Sequence, residues 1–258
     1  MTNMTLIKNY IFDLYGTLID IHTDEEDPYL WKTLSSFYVR FGADYSPSEL
    51  KQAYHQKVDE ELDKVHQTGI KYADIRLEKV FYRLLVEAPH KHQTELSLNS
   101  ELEIDTWMKT VANLFRELSM RRFFVFEGVH ETLKTLKESG AHIYLLSNAQ
   151  RVFTIPEIEK AGLKDYFDAI YISSDYLKAK PEPSFMKALL DEQGLDPKQC
   201  VMVGNDPNSD MAIALSCGVK GILLNTDCRN DEQLAKLSKD NKYKIIRSGH
   251  IEEILDLV

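Results

Sequence analysis

The sequence predicts an α/β fold, a doubly wound parallel sheet interrupted by an all-helical insertion, and three observations predict it. After Met120, short apolar runs rich in β-branched residues (HIYLLS, AIYIS, CVMVG, GILLN, YKIIRS) alternate with helical stretches. That is the pattern of parallel strands joined by helices on both faces of a sheet. These runs are continuously apolar, as strands covered on both faces are. From about Asp24 to Met120, by contrast, the apolar residues recur at helical spacing throughout. The run from Asn9 to Phe12 has the texture of the later strands and is expected to join their sheet. The core is therefore discontinuous, residues 1–20 plus 121–258, and residues 21–120 form a separate helical unit.

Taken in order, the first strand ends at Asp13 and runs into a Gly16-Thr17 turn. Asp27-Pro28 opens the first helix of the insertion, with proline in its first turn, and Gly42 closes it. Ser46 to Glu49 reads as a capping box: Ser46 caps, Pro47 starts the helix, Glu49 reaches back. Ala73 to Glu87 carries Ile75, Val80, Phe81, Leu84 and Leu85 at helical spacing and stops before Pro89. A polar connection, HKHQTELSLNS, leads to a last helix from Glu103 to Leu118, with Ile104, Trp107, Val111, Phe115 and Leu118 on one stripe. In the second half, Gly128, Gly140, Gly162, Gly194 and Gly218 punctuate the junctions between strands and helices.

A formal net charge of −10 disfavours a nucleic-acid partner and suits a protein of small ligands. The start, MTNMTLIKNYIF, lacks the apolar stretch of a secretory leader. No apolar run approaches the ~20 residues of a membrane span. Cys200, Cys217 and Cys228 are odd in number and too far apart for a paired-cysteine zinc site. The expectation is a cytoplasmic protein, monomer or homodimer, acting on a small molecule without nucleic acid or membrane.

In open α/β sheets the ligand sits at the carboxyl ends of the strands. That rule selects Asp13 after the first strand, Ser147-Asn148 after HIYLLS, Lys180 beyond AIYIS, and Asp206 and Asp210 after CVMVG. A nucleophile candidate, a hydroxyl, a cation and further carboxylates thus come to one rim.

These residues resemble, in order, the four motifs of the haloacid dehalogenase-like superfamily. The first motif, Asp-x-Asp-x-Thr, matches Asp13, Tyr15 and Thr17. The second is Ser147 at a strand end, the third is Lys180-Pro181, and the fourth is Gly204-Asn205-Asp206 with Asp210. The resemblance covers the whole core and implies that the insertion is the superfamily's type 1 helical cap. It implies a hydrolase in which Asp13 attacks the substrate covalently, dividing one hard step into two. Lys180 would add fixed positive charge, Ser147 and Asn148 would serve the transferring group, and Thr17 would orient Asp13. Several carboxylates in one rim repel unless a cation joins them. A hard, oxygen-preferring ion such as Mg²⁺ fits that need. Its expected ligands are Asp13, the Tyr15 carbonyl and Asp206, completed by Asn205 or Asp210. The substrate class implied is a small phosphomonoester.

This chain departs from the pattern twice. Tyr15 stands where phosphatases of the superfamily usually carry the acid that protonates the leaving group, and a phenol of pKa near ~10 is a poor base at neutral pH. Asn205 replaces the usual aspartate of the fourth motif. True haloacid dehalogenases carry tyrosine at the first of these positions and need no metal, so a 2-haloacid dehalogenase is the alternative. Against it, Met186 stands where those enzymes keep a tyrosine, Arg40 lacks the surroundings of their halide-side arginine, and GNDPNSD is rich in metal-type acids. A weakly catalytic phosphate- or metal-binding regulator is a third reading. In the cap, Arg76, Lys79 and Arg83 share a helix face as candidates for an anionic substrate tail. Ile19 to Asp27 is the expected hinge into the cap, with His22 in it.

Overall fold

The computed structural model describes residues 7–239 and 242–257. The first residues of the chain, from which the absence of a leader is inferred, lie outside the described residues. Along the chain the elements are β1 (Asn9–Phe12), β2 (Ile19–Thr23), α1 (Pro28–Arg40), β3 (Ala43–Asp44), α2 (Pro47–His66), α3 (Leu77–Val86), β4 (His90–Lys91), α4 (Glu101–Ser119) and β5 (Met120–Val125). Then follow α5 (Val129–Glu138), β6 (His142–Ser147), α6 (Arg151–Lys160), β7 (Ala169–Ile172), α7 (Ser173–Tyr176), α8 (Pro183–Glu192) and β8 (Cys200–Gly204). A π-helical turn (Pro207–Met211) leads into α9 (Ala212–Ser216), β9 (Lys220–Leu224), α10 (Asp231–Ser238) and β10 (Lys244–Ile246).

Successive side chains of a strand point to opposite faces, and β1 shows what this does. Tyr10 and Phe12 enter one apolar layer with Leu133 of α5, Leu145 of β6 and Val203 of β8. Ile11 enters the opposite layer with Leu146, Met202, Phe185 and Leu189. The six-stranded sheet has the order β10-β9-β8-β1-β6-β7. Its pairs are parallel throughout. Phe12 lies opposite both Leu145 and Val203, so β1, β6 and β8 deliver their last residues to the same edge.

The insertion has its own apolar interior. Leu30, Trp31, Leu34 and Tyr38 of α1 pack on Leu50 and Tyr54 of α2, Val80, Phe81 and Leu84 of α3, and Trp107, Val111 and Phe115 of α4. Phe153 of α6 joins this cluster, so the helical unit packs against the sheet-bearing part. The capping box at Ser46 is present, with Glu49 N–H donating to the Ser46 hydroxyl and the Glu49 carboxylate accepting from Ser46 N–H. Two features depart from a helical reading of residues 24 to 120. A short antiparallel pair, β3 with β4, lies inside that span, because the chain turns at Gly42 (φ +82°) and runs back beside residues 90–91. The passage between the two units is also not a plain hinge loop. β2 pairs antiparallel with β5, Ile19 opposite Val125 and Ile21 opposite Phe123, so both crossings of the chain form one ribbon. No helix among the described residues is long and apolar enough to cross a membrane.

Phe115 is 1 % exposed, with its ring 5.9 Å from Trp31, 5.4 Å from Tyr54 and 5.2 Å from Phe81 between centroids. Truncating a buried phenylalanine removes its transfer free energy and leaves a cavity, so Phe115→Ala is expected to cost about 3–5 kcal/mol. Urea unfolding monitored by tryptophan fluorescence checks this; a loss under about 1 kcal/mol would show that these rings do not hold the helical unit together.

Candidate active site

The rim begins where β1 runs out. Asp13 N–H still donates to Val203 O at 2.9 Å, extending the ladder by one residue. The chain then tightens: Leu14 O accepts from Leu18 N–H at 2.8 Å and from Ile19 N–H at 3.0 Å. Gly16 takes φ +82°, in the left-handed region, and a Cβ there would lie 2.5 Å from Asn205 Nδ2. Glycine is thus required for both conformation and space.

Asp13 is nearly buried, and both of its oxygens are engaged. Lys180 Nζ donates to Oδ1 at 2.6 Å, and the Thr17 hydroxyl donates to Oδ2 at 3.1 Å. The same ammonium donates to Asp210 Oδ1 at 2.7 Å. Burial pushes the Asp13 carboxyl up to about 6, with Lys180 pulling it down and the Asp210 charge pushing it up. Burial alone would lower Lys180, but the two carboxylates outweigh it and hold the ammonium above its ordinary value.

Asn148 acts on the lysine rather than on open space. Its amide Nδ2 donates to Lys180 O at 2.9 Å and its Oδ1 accepts from Lys180 N–H at 2.6 Å. Ser147, at the end of β6, is fully buried, and its hydroxyl has no hydrogen-bond partner among the described residues. An unpaired buried hydroxyl is costly, which marks a place where a ligand oxygen or water belongs.

The fourth motif divides its polar groups. Asn205 turns towards the first motif, with Oδ1 at 3.4 Å from the Thr17 hydroxyl. Asp206 instead accepts from Asn208 N–H at 2.8 Å, capping its own turn. Asp210 accepts from Asp206 N–H at 3.0 Å with the oxygen that Lys180 leaves over. Among the described residues no three acidic, histidine or cysteine side chains gather as a metal cluster. The donors still suit a hard divalent cation. Asp13 Oδ2 and Asn205 Oδ1 both lie within reach of one hydroxyl, that of Thr17, and such an ion accepts one carboxylate with neutral oxygens and water.

The Tyr15 hydroxyl is committed to α6. It donates to Glu157, and Thr154 Oγ1 stands 3.3 Å away. Arg116 of α4 donates to the same Glu157 carboxylate at 2.7 and 3.2 Å, with its guanidinium carbon 5.5 Å from the centre of the Tyr15 ring. Burial and the Glu157 charge hold the Tyr15 phenol above its usual range, so it stays neutral. Of the three basic residues at α3, one is committed. Arg83 is bound by Glu60, Glu61 and Glu87, while Arg76 and Lys79 are exposed. His22 is exposed on β2, across from Arg122.

Sequence reasoning passes over several residues at this rim. Gln150 spans two units: its Oε1 accepts from Leu77 N–H at 3.0 Å and its Nε2 donates to Asp74 at 3.0 Å. Beside it, Asp74 N–H donates to Leu177 O at 3.2 Å and Ala179 N–H donates to Tyr72 O at 2.8 Å, so the helical unit is stitched to the chain just before Lys180. Glu157 and Arg116 are equally unannounced; a glutamate in TIPEIEK reads as a surface residue.

A parallel sheet with an acid–lysine–acid bridge at its strand ends, and a helical insertion stitched over the neighbouring loops, defines a capped α/β hydrolase. The chain belongs to the haloacid dehalogenase-like hydrolase family, whose model matches residues 7–218. It is 26% identical over 219 residues to a D-ribitol-5-phosphate phosphatase from Bacteroides thetaiotaomicron, covering 83% of this chain and 89% of that protein. It is 27% identical over 133 residues to the pyrophosphatase PpaX of Halalkalibacterium halodurans, covering 52% of this chain and 59% of that one. The match thus spans less than two thirds of that relative's length. Among solved structures, a 2-haloacid dehalogenase from Pseudomonas syringae pv. Tomato superposes with TM-score 0.64 at 19% identity, covering 98% of this chain and 99% of that one. A predicted phosphoglycolate phosphatase from Haemophilus somnus superposes with TM-score 0.55 at 21% identity, over 99% of both chains. At such identities these structures show the fold alone.

Replacing Lys180 by methionine would leave two buried carboxylates facing each other. Breaking a buried pair by removing one partner costs about 3–5 kcal/mol, and Lys180→Met is expected to lose that much at pH 7. The loss should shrink as the pH falls towards 5. Burial holds the Asp13 carboxyl above its unfolded value, and removing the ammonium takes away the charge that pulls it down, so the folded variant binds a proton at Asp13 more readily than the unfolded chain and gains stability as pH falls. Urea titrations at both pH values check the magnitude and the sign.

Proposed function

We propose that this hydrolase is a Mg²⁺-dependent phosphatase of small phosphomonoesters, acting through an aspartyl phosphate on Asp13. The observation that carries the reading is the buried Lys180 bridge between Asp13 and Asp210. It holds a carboxylate ready at a strand end and places a fixed cation beside it. The phosphatases among the relatives support the same class.

Asp13 attacks phosphorus, the bond from phosphorus to the ester oxygen breaks, and the leaving alkoxide or phenoxide takes a proton from solvent. Water then attacks the acyl phosphate at phosphorus and frees the Asp13 carboxylate and inorganic phosphate. Lys180 neutralises charge on the transferring group, and the unpartnered Ser147 hydroxyl donates to one of its oxygens. Thr17 orients Asp13, and Asn148 orients Lys180 through its backbone. Asp13, Asn205 and the Tyr15 carbonyl would hold the cation. When bound, Mg²⁺ supplies Lewis-acid charge at a phosphoryl oxygen.

The alternative is a metal-free dehalogenase, and Tyr15 in the first motif is the observation that favours it. Arg40, the candidate halide-side arginine, is exposed at the last turn of α1, and Met186 is fully buried among Phe185 and Leu189. These placements weigh towards the phosphatase.

With the Tyr15 hydroxyl bound to Glu157, no acid assists the leaving group. Aryl and acyl phosphates should therefore be cleaved faster than alkyl phosphates by at least about 10²-fold, the low end of what acid–base assistance provides. Tyr15→Phe should leave that ratio unchanged, and Asp13→Asn should abolish turnover with its circular dichroism intact. The measurement is steady-state release of phosphate from an aryl and an alkyl ester with and without Mg²⁺, beside halide release from 2-haloacids. Equal rates on both esters would defeat the leaving-group argument, and metal-independent halide release would replace the phosphatase with the dehalogenase.

A further inference from the structure

The loop after β9 reaches the rim and touches the turn that follows Asp13 and the Asn205 departure of the fourth motif. Thr226 donates its hydroxyl to Gly16 O, in the turn that follows Asp13. Asp227 Oδ1 accepts from Asn205 Nδ2 at 3.0 Å, and Asp227 Oδ2 is paired with Arg229 Nη2 at 2.6 Å. The loop is held in this shape from within. Asn225 Nδ2 donates to Arg229 O at 3.0 Å and to Arg247 O at 3.1 Å, while Asn225 Oδ1 accepts from Arg229 N–H at 2.8 Å.

An asparagine is a two-ended group. Its oxygen attracts a cation and its NH₂ repels one, so a neutral amide serves a cation site only if something fixes which end faces inward. We propose that Asp227 is a positioning residue which fixes the Asn205 amide with its oxygen towards Asp13, making this neutral side chain an effective cation ligand. The inference rests on the cation site of the proposed function.

The chemistry allows one orientation. The Asp227 carboxylate accepts and cannot donate, so it takes only the NH₂ end of Asn205. Turning the amide over would set its oxygen against a carboxylate and lose a charge-assisted hydrogen bond. With NH₂ directed at Asp227, Oδ1 lies on the Thr17 side, and Thr17 already holds Asp13 Oδ2. The carboxylate also polarises the amide and raises the basicity of its oxygen, as partners behind metal ligands do. Arg229 balances the charge of Asp227, so its contribution is orientation and polarisation rather than net negative charge. An aspartate at position 205 would need no such partner, because both of its ends are oxygen.

The test is Mg²⁺ titration calorimetry on the full chain, with thermal unfolding in metal-free buffer to confirm the fold of each variant. Asp227→Ala should bind Mg²⁺ about 10–100-fold more weakly than wild type. Asn205→Asp should bind at least as tightly as wild type, and adding Asp227→Ala to it should not weaken binding, because there it removes only a like charge. Such non-additivity is the mark of one residue acting through another. If wild type and Asp227→Ala bind Mg²⁺ equally, the positioning role is wrong and the proposed cation site stands. If Asp227→Ala weakens binding equally in both backgrounds, Asp227 acts by charge and the orientation argument is overturned. If wild type binds no Mg²⁺ at millimolar concentration, the cation reading fails and this inference with it.

Discussion

The rim depends on one ammonium group. Lys180 Nζ is enclosed between Asp13 and Asp210 with 1% of its side chain exposed, and each partner comes from a different strand end. Burial opposes ionisation of Asp13, and the ammonium favours its charged form. One ammonium against two carboxylates still leaves an excess of negative charge. That excess is what the proposed second cation, at the Asp13 and Asn205 oxygens, would offset. The bridge also explains why Asn148 grips the lysine backbone at both N–H and C=O. A charge shared between two acids has to be held by its main chain as well as by its tip.

The position that lacks its acid has been given another task. Tyr15 couples the first motif to Glu157 in α6, and through it to Arg116 in α4 of the helical unit. The loop after Asp13, the sheet-bearing part and the insertion thus meet in one buried polar group. A second seam runs through Gln150, Asp74 and the backbone of residues 72 and 177–179. Both seams flank the rim, so the insertion and the catalytic loops share hydrogen bonds as well as apolar contact through Phe153.

The basic residues that looked available on α3 show how surface charge misleads. Arg83 shares a helix face with Arg76 and Lys79, but three glutamates of α2 and α3 surround it. It holds helices together instead of facing an anion. Asp206 and Asn205 make the same point at shorter range. They are adjacent in sequence, yet the carboxylate turns to its own helical turn and the amide turns to Asp13's side.

The sequence by itself determined the sheet and the edge at which its strand-end polar groups gather. Strand texture is local: a β-branched apolar run ending in a polar residue and glycine is legible in a few residues, and Asp13, Ser147, Lys180 and Asp210 were all readable as strand-end groups. Helix caps such as Ser46 were readable for the same reason. What only the tertiary structure decided are the pairings between segments far apart in the chain: β2 with β5, Tyr15 with Glu157, Arg116 with Glu157, and Asn205 with Asp227. No periodicity announces them. In each the partner is selected by packing, not by the residues around it. Which of two neighbouring side chains faces Asp13 depends on a backbone turn only a few residues long, and the folded neighbours, Gly16 and Asp227 among them, set that turn's surroundings.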